Sequence, residues 1–318
     1  MTHTYSSDPR LARSIVVING KGGVLKTSCV ANLSGQLARS GYRTLVADLD
    51  LSGNLGLDFG YAQREQTDLG SGVADAIRDD RPLPVLKDVR PGLDVITGGY
   101  KLRVLEGLAG SPEIEDAGGL PAVFARKFAE LMEAGEYDFA VIDTAPSRGI
   151  WQQIALAAAR YVIVPIKTDQ ASWDGLMAVG PQVTRAIREG NPDLTYLGVL
   201  ITANSTAAHS VLRRTRAFVG EAFGKIPIFD ARIRASESAA FDCRERGELA
   251  HELADAASQS NVVRLKALRD RGVGEPIEVP PALSATSASL AGDYFNLTRE
   301  VLMKIAEAEA TTPIAQGS

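Results

Sequence analysis

A glycine-rich loop between an apolar run and a helical pattern constrains the fold more than any other feature of this 318-residue chain. The run SIVVIN at residues 14–19 is typical of a strand that is buried on both faces of a sheet. It leads into GKGGVLKTS at residues 20–28, and apolar residues at helical spacing follow. Glycines allow backbone N–H groups to surround an anion, and a helix N-terminus adds positive potential. The order of strand, loop and helix therefore predicts a phosphate-binding site.

Two side chains of this loop have the chemistry that a bound nucleotide needs. Lys26 can reach the β- and γ-phosphates, and the Thr27 hydroxyl can ligate Mg²⁺. The loop follows the pattern G-x-x-x-x-G-K-[ST] except at Leu25, where a Cβ restricts the backbone and crowds a phosphate. A loop that binds nothing is therefore an open alternative, but the strand and helix around it favour nucleotide binding. The residues that we expect at the nucleotide are Gly22, Gly23, Val24, Leu25, Lys26, Thr27 and Ser28.

Carboxylates follow two further apolar runs, at positions where a parallel sheet brings strand ends together. Asp48 and Asp50 lie at the end of the run at residues 44–49, and Asp143 follows the run at residues 139–142. In a parallel sheet these ends share the carboxyl edge with the phosphate loop. Because Mg²⁺ prefers oxygen ligands and keeps several waters, we expect Asp143 to hold it through water and Asp50 to orient the attacking water. One such Asp alone is better explained as a turn cap, but the combination with the loop favours the functional interpretation.

Apolar β-branched runs alternate with amphipathic stretches along most of the chain. Such alternation predicts an α/β fold with a mainly parallel sheet and helices on both faces. Pro121 is well placed in the first turn of one of these helices. The predicted strands cover residues 14–19, 44–49, 139–142, 161–166 and 196–201, and further helices cover about residues 172–188, 207–223 and 293–310.

The organisation along the chain is that of one domain with irregular ends. We predict a flexible N-terminal arm at residues 1–13, a single P-loop domain at residues 14–310 and a disordered tail at residues 311–318. Residues 272–291 are rich in Pro, Gly, Ser and Ala, which predicts an exposed loop inserted before the last helix.

Composition excludes several functional classes. The net charge of −5 and the pI of about 5.4 argue against a globally basic nucleic-acid binder and allow only a local basic face. The two cysteines, Cys29 and Cys243, are far apart in sequence, which disfavours a disulfide framework and an iron–sulfur carrier. The three histidines are scattered and lack the spacing of a metal site; they are His3, His209 and His251. No apolar stretch reaches the roughly 18 residues of a membrane helix, and the first residues lack a signal pattern. We therefore expect a cytoplasmic protein.

Three segments resemble the nucleotide motifs of the ParA/MinD ATPases. KGGVLKT at residues 21–27 resembles their deviant Walker A motif, KGGxxKT, whose first lysine is the family signature. DLDLSGN at residues 48–54 is similar to DxDPQGN with leucine in place of proline, and YDFAVIDTAPS at residues 137–147 resembles the Walker B segment YDYIIIDTPPS. Weaker likenesses lie at residues 174–176, 233–238 and 293–301, so that the resemblance spans roughly residues 14–305.

The resemblance implies a P-loop ATPase of the deviant Walker A class that binds ATP and Mg²⁺ and closes into a homodimer around the nucleotides. Lys21 would then act on the partner's phosphates, as an arginine finger does elsewhere. The resemblance also implies an adenine pocket formed by Asn204 and by the loop around Asp230, which lacks the family's proline. The implied catalytic residues are Lys21, Lys26 and Asp50, the implied metal site comprises Thr27, Asp50 and Asp143, and Asp48 is placed at the nucleotide.

The resemblance leaves the branch of the family open. In a ParA-type partition ATPase, the ATP dimer binds double-stranded DNA non-specifically, and a ParB-like or adaptor protein stimulates hydrolysis, so that plasmid or chromosomal DNA is segregated. A relative that positions a protein cargo has the same motor, and sequence does not separate the two. A MinD-like membrane-cycling ATPase requires a C-terminal amphipathic helix with a basic face, whereas residues 311–318 have neither an apolar stripe nor lysines. We therefore expect a ParA-like protein of the nucleoid, without a membrane partner.

Arginines on and near one predicted helix are the candidate DNA contacts. Non-specific binding requires Lys or Arg against phosphates, and in this acidic chain such a patch must be local. An isolated charge run is more often a solvated helix face, and that alternative stays open. The candidates are Arg213, Arg214 and Arg216 on the helix at residues 207–223, with Arg232 and Arg234 on a nearby segment.

Overall fold

The computed structural model describes residues 8–62, 67–146, 149–204, 209–224, 226–270 and 286–311, in part by the backbone alone. They form one eight-stranded sheet in the order β3-β4-β2-β5-β1-β6-β7-β8. Neighbouring strands pair in parallel except β3 and β4, which are antiparallel. The predicted α/β fold class is therefore confirmed. The strands are β1 (Ser14–Val17), β2 (Thr44–Leu49), β3 (Leu86–Arg90), β4 (Leu93–Ile96), β5 (Phe139–Thr144), β6 (Tyr161–Ile166), β7 (Thr195–Asn204) and β8 (Ile228–Arg234).

Helices cover both faces of the sheet. Among the described residues, no helix is both long enough and apolar enough to cross a membrane. Short 3-10 helices precede β1 (Pro9–Leu11) and follow β4 (Tyr100–Arg103). The α-helices are α1 (Lys26–Arg39), α2 (Leu55–Asp58), α3 (Ser71–Arg78), α4 (Val104–Leu108), α5 (Pro112–Asp116), α6 (Leu120–Ala134), α7 (Ile150–Ala157), α8 (Gln170–Glu189), α9 (His209–Phe223), α10 (Glu237–Arg246), α11 (Ala250–Asp270) and α12 (Ser287–Thr311).

Strand β1 shows why both faces must be covered. Its side chains alternate between two apolar cores, with Ile15 and Val17 in the core beneath α1 and α12, and Val16 in the core beneath α6, α7 and α8. All three side chains are fully buried. A strand that is buried on both faces is apolar at every position, which is the pattern that predicted it.

The ends of the domain depart from the predicted boundaries. Residues 8–13 of the predicted arm are described: Asp8 caps the first 3-10 helix through Arg10 N, and Leu11 packs into the core. Helix α12 begins at Ser287, so it includes the last part of the predicted insertion at 272–291. The remaining parts of these predictions, at residues 1–7, 272–285 and 312–318, lie outside the described residues.

Helix α12 covers the free edge of β8. The carboxylate of Glu300 accepts hydrogen bonds from Asp230 N at 3.0 Å and Ala231 N at 2.8 Å, and the carboxylate of Asp293 accepts one from Arg234 N at 2.9 Å. These N–H groups would otherwise be available to another strand at the sheet edge. The two acidic side chains therefore close the sheet on the side of β8.

Candidate nucleotide site

The predicted phosphate loop leaves β1 at the carboxyl edge of the sheet, between β5 and β6, and runs into α1. Gly22 and Gly23 are exposed, and a Cβ added at Gly23 would meet nothing within 4 Å. Gly23 also has a φ of +73°, a conformation that suits glycine. The loop is thus an open cradle with its backbone accessible to an anion.

Leu25 adopts the left-handed conformation that the missing glycine would favour, with φ 64° and ψ 29°. This conformation costs a residue with a Cβ roughly 1–2 kcal/mol. Two contacts oppose that cost: Leu25 packs against the core beneath α1, and the buried Thr202 hydroxyl donates a hydrogen bond to Val24 O at 3.1 Å. Leucine in place of the motif's last glycine therefore changes the side chain but keeps the left-handed backbone conformation.

Lys26 is a buried cation at the centre of the site. Its Nζ donates a hydrogen bond to Lys21 O at 2.9 Å, and the residue is 6% exposed. Burial lowers the pKa of Lys26, while the charges of Asp143 and Asp50 act in the opposite direction. A buried cation this close to a phosphate loop is suited to a phosphate oxygen.

Asp48 and Asp143 lie side by side in β2 and β5 and are fully buried. The Oδ2 atom of each has no hydrogen-bond partner in the part of the chain that the structure describes. Burial and then the charge of Asp143 raise the pKa of Asp48. Burial also raises the pKa of Asp143 to about 7, while the nearby Thr27 hydroxyl acts in the opposite direction. Buried oxygen atoms without partners, next to a hydroxyl, are the donor set that a hydrated Mg²⁺ requires.

Asp50 is fixed at the same edge by its backbone and its side chain. Its carbonyl accepts hydrogen bonds from Gly53 N and Gly99 N, both at 3.1 Å, and its Oδ1 accepts one from Ser52 N at 2.8 Å. Asp50 N donates in turn to Asp48 Oδ1 at 3.0 Å. The carboxylate is 6% exposed and is thus oriented before any ligand binds.

Lys21 is bound within its own chain. Its Nζ lies 3.1 Å from Asp169 Oδ1, the N-cap of α8, and its backbone N donates to Asn19 Oδ1 at 2.8 Å. The side chain of Lys21 is 35% exposed, so it can leave Asp169 without unfolding its surroundings. This geometry is compatible with the predicted action on a partner's phosphates, which stays a prediction.

Gly175 allows α8 to approach the loop. A Cβ at this position would overlap Asn19 Oδ1 and lie 3.1 Å from Lys21 Cβ. We expect Gly175→Ala to displace the Asn19 amide, to weaken ATP binding about tenfold and to lower the free energy of unfolding by about 1–3 kcal/mol. Calorimetry and urea unfolding measure the two effects. The control Gly220→Ala lies in α9 with nothing within 4 Å of the added Cβ, and equal behaviour of the two variants would contradict the contact.

The two predicted adenine residues lie on neighbouring strands, β7 and β8. Asn204 ends β7, and its side chain lies outside the described part of the chain. The predicted loop around Asp230 is wrong, because Asp230 lies within β8, before that strand reaches the carboxyl edge. Its exposed carboxylate pairs with Arg216 at 3.1 Å. The adenine pocket therefore stays a prediction, without support at Asp230.

The arginine candidates divide into two groups. Arg216 is engaged by Asp230 and Phe229 O, and Arg234 is bound by both carboxylate oxygens of Asp293. The others are exposed and form no ion pair within the described ranges; they are Arg213, Arg214 and Arg232.

A second concave region lies at the opposite edge of the sheet. This cavity of about 530 Å³ is bounded by α6, α7 and α8 and by residues that precede β1 and β6, such as Leu11 and Arg160. None of the predicted site residues lines it. The glycines of the nucleotide loop, Gly22 and Gly23, are by contrast exposed.

Comparisons with known proteins agree with this geometry. The family model described as an AAA domain matches residues 12–196, more than half of the chain. The chromosome partitioning protein ParA of Myxococcus xanthus is 30% identical over 239 residues, which cover 73% of this chain and 80% of that protein.

Two solved structures share the fold. McdA of Cyanothece in complex with ATP superposes with a TM-score of 0.67 at 17% identity and covers 98% of this chain and 100% of its own. The septum site-determining protein MinD of Pyrococcus horikoshii, complexed with Mg-ADP, superposes with a TM-score of 0.62 at 18% identity and covers 94% and 99%.

The matched region contains the parts from which the site is built. Residues 12–196 include the loop with Lys21 and Lys26, the carboxylates of Asp50 and Asp143, and the whole of α8. The family model covers the three segments that resemble the nucleotide motifs, at residues 21–27, 48–54 and 137–147. The chain therefore belongs to the ParA/MinD-type P-loop ATPases.

Proposed function

We propose that this chain is a ParA-like positioning ATPase that binds ATP and Mg²⁺ and dimerises when ATP binds. The dimer binds double-stranded DNA non-specifically. A ParB-like or adaptor protein stimulates its weak hydrolysis, and the cycle segregates plasmid or chromosomal DNA on the nucleoid. The observation that carries the proposal is that buried Lys26 lies beside an open phosphate loop, at the edge where Asp48 Oδ2 and Asp143 Oδ2 have no hydrogen-bond partner among the described residues. The identity to ParA supports the partition role.

The residues of the site divide the chemistry between them. Bound Mg²⁺ neutralises charge on the phosphates, and Thr27 with Asp143 would hold it, in part through water. Lys26 binds a phosphate oxygen from within the chain, and Lys21 leaves Asp169 to reach the phosphates of the partner subunit. Asp50 orients the attacking water and accepts a proton from it. Phosphoryl transfer requires little more than this positioning and charge stabilisation.

The proposed DNA face is the exposed side of α9. Arg213 and Arg214 are exposed there without a described ion pair, and Arg232 is exposed on β8, the strand that follows α9. Arg216 and Arg234 are less suited, because each is already bound to a carboxylate. Free arginines against phosphates supply non-specific affinity that falls with salt.

Charge reversal tests this face. We expect Arg213→Glu with Arg214→Glu to lower duplex affinity at least about tenfold at low salt and to reduce the slope of log K against log salt by about 2. ATP affinity should stay unchanged. The matched control, Arg126→Glu with Arg185→Glu, makes the same change of charge at exposed residues of the opposite edge. Equal loss in both double variants would show that overall charge, and not α9, governs binding.

The proposal as a whole is tested by measuring binding to duplex DNA of arbitrary sequence with ATP, with ADP and without nucleotide, at two salt concentrations. The mass of the protein, measured under the same conditions, shows whether it dimerises. Salt-sensitive binding that requires ATP and accompanies dimerisation is the expected result. Dimerisation without DNA binding would reject the DNA part and direct attention to a protein scaffold. A monomer that does not respond to ATP would reject the proposal.

A further inference from the structure

Helices α8 and α9 meet through a stacked pair of aromatic rings. The ring centroids of Trp173 and Phe218 are 4.5 Å apart, and the planes are inclined by 17°. Trp173 lies in the first turn of α8, and Phe218 lies in the second half of α9. Both pack against the core on that face of the sheet. The stack is therefore a direct contact between these two helices.

The first turn of α8 also touches the phosphate loop. Asp169 Oδ1 accepts hydrogen bonds from Ser172 N at 2.8 Å and from Lys21 Nζ at 3.1 Å. One turn later, Gly175 lies against Asn19 and Lys21 so closely that no Cβ fits. A movement of Lys21 therefore acts on the same turn that carries Trp173.

Three polar groups at this joint have no hydrogen-bond partner in the part of the chain that the structure describes. They are Ser172 Oγ, Trp173 Nε1 and Thr215 Oγ1, and all three atoms are buried. Thr215 lies one turn before Phe218, on the same face of α9. Native proteins satisfy most buried polar groups, and a group left without a partner destabilises the arrangement that buries it. A rearrangement of the joint that gives these groups hydrogen-bond partners would therefore remove this destabilisation.

We propose that Trp173 and Phe218 relay the state of the phosphate loop to the arginines of α9. When Lys21 leaves Asp169, the first turn of α8 shifts, the stack repacks and the buried polar groups gain partners. Helix α9, with Arg213 and Arg214 on its exposed side, then takes the orientation that binds DNA. Trp173 and Phe218 are positioning residues in this scheme. The last step rests on the proposed function, whereas the change at the stack does not.

The change at the stack can be measured by fluorescence. The chain has two tryptophans, and Trp151 is buried with its Nε1 bonded to Glu106. In Trp151→Phe protein, Trp173 is therefore the sole tryptophan. We expect its emission to change with ATP and Mg²⁺ and to stay constant with ADP. Unchanged emission at saturating ATP would overturn the relay, whatever the protein does with DNA.

The relay to DNA is tested with Phe218→Leu. This variant should bind ATP within about twofold of the unchanged protein, while the ATP-dependent rise in duplex affinity falls at least about tenfold. Phe218→Tyr keeps the ring and should retain the rise. The control Phe124→Leu breaks a similar stack, with Phe128 at 5.6 Å inside α6, and should also retain it.

The outcomes separate the relay from the proposed function. Full ATP-dependent DNA binding by Phe218→Leu overturns the relay and leaves the function intact. Absence of ATP-dependent DNA binding in the unchanged protein rejects the function, and the emission of Trp173 then decides the relay alone.

Discussion

Replacing Lys26 with alanine is expected to abolish measurable ATP binding. The Nζ of Lys26 is the buried cation of the phosphate loop and already faces the charges of Asp143 and Asp50. Hydrogen bonds to a charged group contribute about 1.5–3 kcal/mol each, so the loss of two phosphate contacts corresponds to at least about a hundredfold in affinity. Calorimetry with ATP and Mg²⁺ measures this loss directly.

A second buried lysine provides the control for this experiment. Lys127 in α6 is 4% exposed, and its Nζ donates to Asp80 at 2.7 Å and to Arg81 O at 3.0 Å. Lys127→Ala removes a buried cation far from the loop, so it should lower the free energy of unfolding and leave ATP affinity unchanged. Lys26→Ala protein that is folded and still binds ATP normally would show that the loop does not hold the nucleotide through this residue.

The central strands were predictable because burial on both faces leaves a clear pattern. The predicted runs at residues 44–49 and 161–166 coincide with β2 and β6. By contrast, β3, β4 and β8 were not predicted. Strand β4 has only four residues, one of them Asp94. Strands β3 and β8 form the two edges of the sheet, and each carries charged residues among its apolar ones. Such strands are specified by pairing with a neighbour and by covering contacts such as that of Glu300, which sequence periodicity does not contain.

The site was predictable as far as its motifs extend. The motifs located the loop, Asp50 and Asp143, and the structure brings these to one edge. They did not reveal Thr202, whose hydroxyl joins the loop to β6 and β7, because that contact spans distant parts of the chain. The resemblance at residues 174–176 pointed to Gly175. The reason that glycine is required there is the packing of α8 against the loop, which the sequence does not show.

Leu25 shows a second reason why the sequence did not predict the site completely. From sequence, a leucine in place of the last glycine suggested a restricted or crowded loop. The structure retains the left-handed backbone at this position and places the side chain against the core beneath α1. Local propensity opposes this conformation, and the tertiary contacts of the loop override it.

Replacing Asp50 with asparagine is expected to separate ATP binding from hydrolysis. Asparagine keeps an oxygen for the hydrogen bond from Ser52 N, so the turn after β2 should remain. It loses the charge that accepts a proton from the attacking water, and general-base catalysis contributes about 10²–10⁴-fold. We expect turnover to fall by at least about a hundredfold, with ATP affinity within a few fold. The proposed ATP dimer should then accumulate, as measured by light scattering.

The matched control for this variant is Asp94→Asn. Asp94 is also 6% exposed, but it lies on β4, where its carboxylate pairs with Lys87 at 2.9 Å, away from the loop. Its replacement should affect stability and leave turnover per folded molecule unchanged. If Asp50→Asn hydrolyses ATP at the normal rate, Asp50 has no role in activating water. If it loses ATP binding as well, the carboxylate acts mainly in holding the metal and the nucleotide, and the activation of water must be assigned to another group at the same edge.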